Sequence, residues 1–180
     1  MTKQILLSVG FVILLGLIVS ANFLLEKYSL VKPFASDETI NTLLANQAQT
    51  KQSFSGISQS SRTLIHINQP WCICNSFTSS HVLNLDKLAT AQSIKTINVE
   101  LGELSADQQS KDWQNLLSLI PSTPATVLLN DSGNIEYIGP YSSGLTCNSG
   151  NSFIEQFLKQ EQSDKTIANW ISTGCYCSVK

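Results

Sequence analysis

TLIHINQPWCICN, residues 63–75, is the stretch that decides the fold. Its first part, Thr63–Ile67, is short, apolar on both sides and rich in β-branched side chains, which predicts a buried strand. After Pro70, residues 76–91 carry apolar side chains at helical spacing, which predicts a helix. The cysteine-containing segment 71–74 therefore lies at the turn between a strand and a helix.

Outward from this stretch, strands alternate with helices and then form a hairpin. Strands are expected at 94–99, 125–129 and 134–138, helices at 37–49, 105–119, 152–158 and 164–171, and a loop at 52–61. The hairpin turn is Asn130-Asp131-Ser132-Gly133. A parallel βαβ unit followed by an antiparallel hairpin predicts the α/β class, with a mixed sheet and helices on both faces.

Three landmarks follow one another in the middle of the chain. A predicted strand ends in Trp71-Cys72 at the start of a helix, Thr123-Pro124 precedes the third predicted strand, and Gly139 follows the hairpin. In that order and at that spacing, residues 60–160 resemble the thioredoxin superfamily, which has a Trp-Cys motif, a cis-proline and a glycine at these places. The chain looks most like a small group of membrane-anchored bacterial thioredoxin-like proteins, and the resemblance implies a thioredoxin-like fold.

The resemblance also implies a redox role for residues at the turn. Cys72 stands at the family's nucleophilic cysteine, and Trp71 at the tryptophan before it. A helix N-terminus favours a thiolate, which is the form that attacks a disulfide. Pro124 is expected to be cis, to face Cys72, and to leave the backbone before it free to pair with a substrate chain.

The motif departs from the family at its second cysteine. One residue separates Cys72 from Cys74 where the family has two, and Asn75 stands at the family's second cysteine position. Cys74 is still the nearest candidate for the thiol that resolves a mixed disulfide, and an inert Cys74 is the alternative. A Cys72–Cys74 disulfide would close a small, strained ring, and strained disulfides are readily reduced.

The two histidines of the chain receive different predictions. His66 lies on the first predicted strand, where thioredoxin itself has a buried acidic residue. Three roles are open to His66: a satisfied core histidine, which the apolar strand favours, a proton shuttle below the cysteines, or a metal ligand. His81 lies in a predicted helix beside two serines and is expected to face solvent.

Cys147, Cys175 and Cys177 bring the cysteine count to five, so at least one thiol remains outside any internal disulfides. A disulfide from Cys147 to Cys175 or Cys177 would tie the tail to the domain, and this structural interpretation is favoured. The alternative makes the tail pair an electron relay to Cys72. The sequence leaves the connectivity open.

Residues 5–25, ILLSVGFVILLGLIVSANFLL, contain no charged residue, and about 20 helical residues cross a bilayer. Val19-Ser20-Ala21 offers a signal-peptide cleavage site, but the apolar run continues past it, which favours an uncleaved anchor. Lys3 before the run favours an N-terminus in the cytoplasm. We therefore expect a single-pass protein of the inner (plasma) membrane whose soluble domain lies on the periplasmic side, where disulfides persist.

Composition narrows the classes of partner. Lys and Arg total 11 and Asp and Glu total 13, and this net charge of -2 argues against a nucleic-acid partner. A hydrophobic content of 42% is too high for a disordered chain.

The predicted domains are an anchor or signal peptide (1–27), a tether and extra helix (28–60), a thioredoxin-like domain (61–160), and a C-terminal helix with the Cys-x-Cys tail (161–180).

These patterns favour an enzyme: a membrane-anchored thiol-disulfide oxidoreductase with Cys72 as nucleophile and no cofactor. Its expected partners are protein thiols or disulfides and a membrane or periplasmic redox protein. Two Cys-x-Cys pairs can also supply four thiolates for copper or zinc, so metal binding and delivery is one alternative. A redox-inactive binding module that uses the groove around Pro124 is the other.

Overall fold

The structure, a computed structural model, describes residues 2–45, 47–162 and 165–179, and in the first helix the side chains of residues 9–24. Helices are α1 (Thr2–Ser29), α2 (Asp37–Ala45), α3 (Gln47–Thr50), α4 (Ser55–Ser58), α5 (Asn75–Ala91), α6 (Lys111–Leu117) and α7 (Ile154–Leu158), with a 3₁₀ turn at Asp107–Gln109. Strands are β1 (Val31–Pro33), β2 (Thr63–Asn68), β3 (Lys95–Glu100), β4 (Ser122–Thr123), β5 (Ala125–Leu129), β6 (Ile135–Gly139), β7 (Ile167–Ala168), β8 (Thr173–Cys175) and β9 (Cys177–Ser178).

A five-stranded mixed sheet forms the centre, in the order β3-β2-β5-β6-β7. Strand β2 runs parallel to β3, because α5 carries the chain back across the sheet between them, and it runs antiparallel to β5. Strands β5 and β6 form the predicted antiparallel hairpin. The predicted α/β class, with a mixed sheet flanked by helices, is confirmed.

Both faces of the sheet are covered because side chains alternate along each strand. On one face, Leu64 of β2 and Leu128 of β5 join a cluster with residues of α5 and α7. On the other face, Ile65 and Val127 pack in a larger cluster with Trp113 of α6 and side chains from the chain before β2. The whole of β5 and β6 is buried, and their polar side chains are paired there: Thr126 donates to the Ile65 carbonyl, and Glu136 forms an ion pair with Arg62.

Several local predictions fail where tertiary contacts outweigh local propensity. The predicted loop 52–61 contains α4, whose Ile57 is buried in the core. The predicted helix 105–119 divides into the 3₁₀ turn and α6. Within the predicted helix 164–171, residues Ile167–Ala168 instead form β7, because hydrogen bonds along the free edge of β6 stabilise an extended chain there.

The segment that precedes β2 contributes to the core. Phe34 is fully buried and its ring meets that of Tyr176 edge-on, with 5.1 Å between the ring centroids. Leu43 of α2 and Phe54 are buried in the same cluster. Phe34, Leu43 and Phe54 therefore anchor in the core the segment 28–60, for which the sequence predicted a tether and an extra helix.

Helix α1 stands at the N-terminal end, with exposed apolar side chains such as Phe11, Val12 and Leu17. Over the residues that the structure describes, no helix combines the length and the apolar character that crossing a membrane requires.

Candidate functional site

Four cysteines from opposite ends of the fold meet in two disulfides. Cys72 is bonded to Cys177, with 5.9 Å between their Cα atoms, and Cys74 is bonded to Cys175, with 5.4 Å between theirs. The bonds join positions 105 and 101 residues apart in the chain. The two Cys-x-Cys pairs thus form one cluster of sulfur atoms at the turn between β2 and α5.

Pairing along the C-terminal segment brings its cysteines to this turn. Strand β8 is antiparallel to β1, with Cys175 opposite Val31, and β9 is antiparallel to β4, with Cys177 opposite Thr123. In an extended chain, side chains two residues apart point to the same side. Cys175 and Cys177 therefore both face the other pair of cysteines.

Tyr176 points the opposite way and anchors the segment. Its ring is buried beside Phe34, and its hydroxyl donates a hydrogen bond to the carbonyl of Ser142. Gly174 lies so close to its neighbours that a Cβ atom there would approach the Gly144 carbonyl oxygen to 2.6 Å. The path of the tail is consequently fixed by packing as well as by the two disulfides.

This pairing corrects both disulfide predictions. Cys72 and Cys74 do not bond each other, because Cys72 is bonded to Cys177 of β9 and Cys74 to Cys175 of β8. Cys147 bonds neither tail cysteine and remains a buried free thiol. Its burial raises the pKa of the Cys147 thiol to about 11, so this thiol is un-ionised at neutral pH and a poor nucleophile.

Cys72 lies beside the loop that carries Pro124. The Thr123–Pro124 peptide bond is cis, as predicted, and the Cys72 Sγ lies 3.7 Å from the Thr123 carbonyl oxygen. The predicted facing of Cys72 and this loop is therefore present. The backbone before Pro124 is not free for a substrate, however, because β9 occupies it.

Helix α5 begins one residue before the predicted start at residue 76. The helix begins at Asn75, so Cys74 is its N-cap residue. A turn precedes it, in which the Asn75 N–H donates to the Cys72 carbonyl and the Ser76 N–H donates to the Ile73 carbonyl, both at 3.1 Å. Both cysteines are thus near the positive end of a 17-residue helix, with Cys74 closer than Cys72.

Two apolar side chains stand exposed around the Cys72–Cys177 disulfide. Trp71, which adopts a left-handed backbone conformation with φ of 66°, is fully exposed, and Ile73 is 56% exposed. Cys177 is half-buried, whereas Cys72, Cys74 and Cys175 are buried. The Cys72–Cys177 bond is accordingly the more accessible of the two, and it sits beside a small apolar surface.

His66 is buried at the middle of β2, with both ring nitrogens engaged. Its Nδ1 lies 2.7 Å from the Tyr141 hydroxyl and its Nε2 lies 3.1 Å from Asp86 Oδ1. Since a carboxylate only accepts, Nε2 carries the proton and Nδ1 accepts from Tyr141. Burial lowers the pKa of His66, and this outweighs the opposing effect of Asp86. The arrangement fits the satisfied core histidine, and neither nitrogen is directed to a cysteine.

The prediction for His81 is wrong. Its side chain is buried between α5 and α7, and its Nε2 lies 2.9 Å from the Ser152 hydroxyl. The small polar residues near His81 suggested a solvated face, but α7 covers that face of α5. Burial lowers the pKa of His81 as well.

A metal ion has one candidate location among the described residues. Ligand atoms of Cys72, Cys74 and Cys177 all lie within 4.8 Å of one another. All three sulfurs are bonded in disulfides, so both bonds must be reduced before thiolates are available there. His66 does not belong to this group. The metal-ligand role that the sequence left open for His66 is therefore not supported by other candidate ligands among the described residues.

Sequence reasoning missed the contributions of Thr123, Tyr141 and Asp86. Thr123 pairs with the tail strand through its backbone groups. Such a contact does not depend on the residue type, so the sequence gives no indication of it. Tyr141 and Asp86 reach His66 from 75 and 20 residues away in the chain. The one available signal was the equal spacing of the two Cys-x-Cys pairs, which permits each cysteine of one pair to form a disulfide with one cysteine of the other.

Comparisons with known proteins identify one family. A family model described as "Domain of unknown function (DUF6436)" matches residues 41–179, which is most of the chain and includes the five cysteines. Comparison with the curated proteins and with the solved structures finds no match.

The buried histidines predict a loss of stability in acid. Because burial lowers the folded-state pKa of His66 below its ordinary value of 6.5, the unfolded chain binds more protons as the pH falls through that value. The free energy of unfolding should therefore decrease between about pH 7 and about pH 5, by at most about 1.4 kcal/mol per pH unit for each such histidine. In His66→Gln, whose amide can keep both hydrogen bonds, the slope of unfolding free energy against pH should be smaller by up to about 1.4 kcal/mol per pH unit, because one proton fewer is bound on unfolding.

Denaturant unfolding of the oxidised protein across this pH range measures the slope. His81→Gln is the matched comparison, and it should also reduce the slope because burial lowers the pKa of His81 too. Equal slopes in the wild type and in His66→Gln would show that His66 is not neutral by burial.

Proposed function

We propose that this chain, which belongs to the DUF6436 family, is a thiol-disulfide oxidoreductase that acts on protein thiols or disulfides. The observation that carries the proposal is the accessible Cys72–Cys177 disulfide beside the Thr123 carbonyl, with Trp71 exposed next to it. A disulfide whose Cys177 is half-buried, with exposed apolar side chains beside it, suits exchange with a partner protein, since reactive bonds are those that a second thiol can reach.

The proposed fold is thioredoxin-like. Support comes from the βαβ unit β2-α5-β3, the antiparallel hairpin β5-β6, and the strand order β3-β2-β5-β6. The cysteines lie where β2 turns into α5, and the loop with Pro124 lies across from them. Among the additional elements, β7 extends the central sheet beside β6, and the pairs β1-β8 and β4-β9 form two separate two-stranded sheets.

In the proposed reaction, Cys72 is the nucleophile and Cys177 resolves. The Cys72 thiolate attacks a substrate disulfide, and one substrate sulfur leaves as a thiolate. The Cys177 thiolate then attacks Cys72 in the mixed disulfide, which releases the second substrate thiolate. Two electrons pass to the substrate, and the Cys72–Cys177 disulfide of this structure is the product. A dithiol redox protein, or the reverse reaction with a substrate dithiol, returns the pair to the reduced state.

The resolving role passes from Cys74, which the sequence predicted, to Cys177. Cys74 is buried and bonded to Cys175, whose strand β8 is paired along its whole length with β1. This second disulfide is suited to stapling the tail, because both of its sulfurs are buried away from substrates. Trp71 is assigned to partner contact, and Pro124 to shaping the loop that faces Cys72.

We expect Cys72→Ser to lower the rate of disulfide exchange by more than about 100-fold, because it removes the covalent route. Cys177→Ser should keep the first attack and accumulate the mixed disulfide. Turnover is measured as reduction of an oxidised test protein by the full chain with dithiothreitol as electron source, and the mixed disulfide is measured in a single turnover of the pre-reduced chain after dithiothreitol is removed. Cys147→Ser is the matched control and should keep activity, since that thiol is buried and un-ionised. Full activity in Cys72→Ser would refute the assignment of the nucleophile to Cys72, whereas absence of exchange activity in the wild type would favour a redox-inactive binding module.

Metal binding and delivery is the second candidate, and the three clustered sulfurs favour it. Soft thiolates select Cu(I) or zinc, and reduction of both disulfides would supply up to four of them. The observed disulfides are less consistent with this function, because oxidation withdraws every one of these ligands.

Under this second candidate, the fully reduced chain should bind one zinc or Cu(I) ion. Removal of a ligand in Cys74→Ser or Cys177→Ser should weaken binding at least about 10-fold. Titration of the reduced full chain against a competing chelator measures it, with Cys147→Ser as the control that should bind normally. Absence of stoichiometric binding by the reduced wild type would eliminate this candidate.

We also propose that the domain works on the periplasmic side of the inner membrane, reached through the N-terminal segment. Support comes from the uncharged residues 5–25, from the exposed apolar side chains of α1, and from two disulfides, which persist in oxidising compartments. In intact cells treated with a mild reductant, a membrane-impermeant maleimide should label Cys72 or Cys177. Labelling only after cell lysis would place the domain in the cytoplasm, and the N-terminal sequence of the isolated protein would distinguish an anchor from a cleaved signal peptide.

A further inference from the structure

We propose that residues 177–179 form a redox-released strand: reduction of the Cys72–Cys177 disulfide frees the Ser122–Thr123 edge, which then pairs with an extended, cysteine-containing segment of the substrate protein. The oxidised chain is thus closed and the reduced chain open. This inference rests on the proposed function for the chemistry at Cys72 and adds to it a switch that controls access.

The tail now occupies the position that such a segment would take. Ser178 lies opposite Ser122 and Cys177 opposite Thr123 in the antiparallel pair, and the Val179 N–H donates to the Pro121 carbonyl at 2.9 Å. Cys177 is bonded to Cys72 in the same way that a substrate cysteine would be. The tail therefore has both features of a bound substrate: main-chain pairing along an edge and a disulfide to the nucleophile.

The final residues are held much less firmly than those just before them. Strand β9 is two residues long, with Cys177 half-buried against the other cysteines and Ser178 exposed, and among the described residues after it Val179 adds a partial contact with the core. By contrast, β8 has three residue pairs with β1, a bridge from Gly174 to Gly144, and a second disulfide. Release after reduction of Cys72–Cys177 should be confined to the residues beyond this anchor.

Tyr176 marks the boundary between the two parts. Its buried ring and its hydrogen bond to Ser142 hold the chain at that point whether or not Cys177 is bonded. Cys177 is the next residue, so it stays near Cys72 after release. A tethered thiol has a high effective concentration, and this lets Cys177 compete for the mixed disulfide as soon as the substrate has reacted.

The opening step balances as a two-thiol exchange. A thiolate of a dithiol protein attacks the more accessible Cys177 Sγ, the bond between Cys177 and Cys72 breaks, and Cys72 leaves as a thiolate. The second thiol of the same partner then attacks its own mixed-disulfide sulfur, which releases Cys177 as a thiolate. The partner is oxidised to a disulfide by two electrons, and the pair Cys72 and Cys177 is reduced by two.

Closing is the reverse event, and it couples resolution to product release. When Cys177 attacks Cys72 of the mixed disulfide, the returning strand re-forms its hydrogen bonds along Ser122 and Thr123. The main chain of the substrate loses the same edge at the moment its sulfur is released. One movement thereby completes the reaction and expels the product.

Amide hydrogen exchange on the full chain tests the release. Cys177→Ser breaks this disulfide and leaves Cys74–Cys175 in place, so the Val179 amide should exchange at least about 10-fold faster than in the oxidised wild type. Amides of Thr173–Cys175 should remain protected in both. Equal protection of Val179 in the two proteins would overturn the proposal. If the amides of β8 also lost protection, the tail would act as one unit, which contradicts a boundary at Tyr176.

A probe peptide tests what takes the freed edge. An extended peptide with one cysteine, activated as a mixed disulfide, should label Cys72 at least about 10-fold faster in Cys177→Ser when its neighbouring residues can pair than when proline replaces them, because proline removes the donor. Equal rates for the two peptides would refute pairing at this edge. These readouts need no turnover: loss of turnover with intact release would refute only the proposed function, and unchanged Val179 exchange with normal turnover would refute only the switch.

Discussion

The pairing of β8 with β1 and of β9 with β4 is the interaction on which the site depends. Two short edge pairings fix the register of the C-terminal segment, and that register places Cys175 and Cys177 opposite the other two cysteines. In an extended chain every second side chain points to the same side. Cys175 and Cys177 therefore both point to the other two cysteines, and Tyr176 between them points to the opposite side, where it is buried in the core. A shift by one residue would direct Tyr176 at the sulfurs and both cysteines at the core.

The same pairing gives the two disulfides different environments. Cys74–Cys175 lies between the N-cap of α5 and a strand that is paired, bridged and tightly packed, where Gly174 leaves no room for a side chain. The Cys72–Cys177 disulfide is more accessible to solvent, because Cys177 is half-buried, and it lies beside exposed Trp71 and Ile73. Local stability differs between neighbouring segments in this way when the number of buried contacts differs. A buried disulfide and a more accessible one therefore lie next to each other in one cluster.

The parts of the molecule that the sequence predicted well are those controlled by local pattern. Strand β5 has the predicted bounds, α5 and β3 begin within one residue of them, and the turn with Trp71, Cys72 and Cys74 lies where the pattern of residues 63–75 requires. Predictions failed where a distant segment supplied the deciding contact. His81 is buried because α7 covers it, and residues 167–168 are extended because the edge of β6 accepts them. The free thiol was predicted to exist from the odd cysteine count, but not to be Cys147.

The sequence by itself determined the α/β class, the strand-to-helix turn and the identity of the sulfur-bearing residues, because periodicity and spacing act over a few residues. Only the tertiary structure decided which sulfurs bond, which histidine nitrogens are satisfied, and what occupies the edge before Pro124. Those outcomes depend on pairs such as Cys72 with Cys177, which are 105 residues apart. Such a pair is brought together by edge hydrogen bonds between main chains, and main-chain groups are the same in every residue except proline.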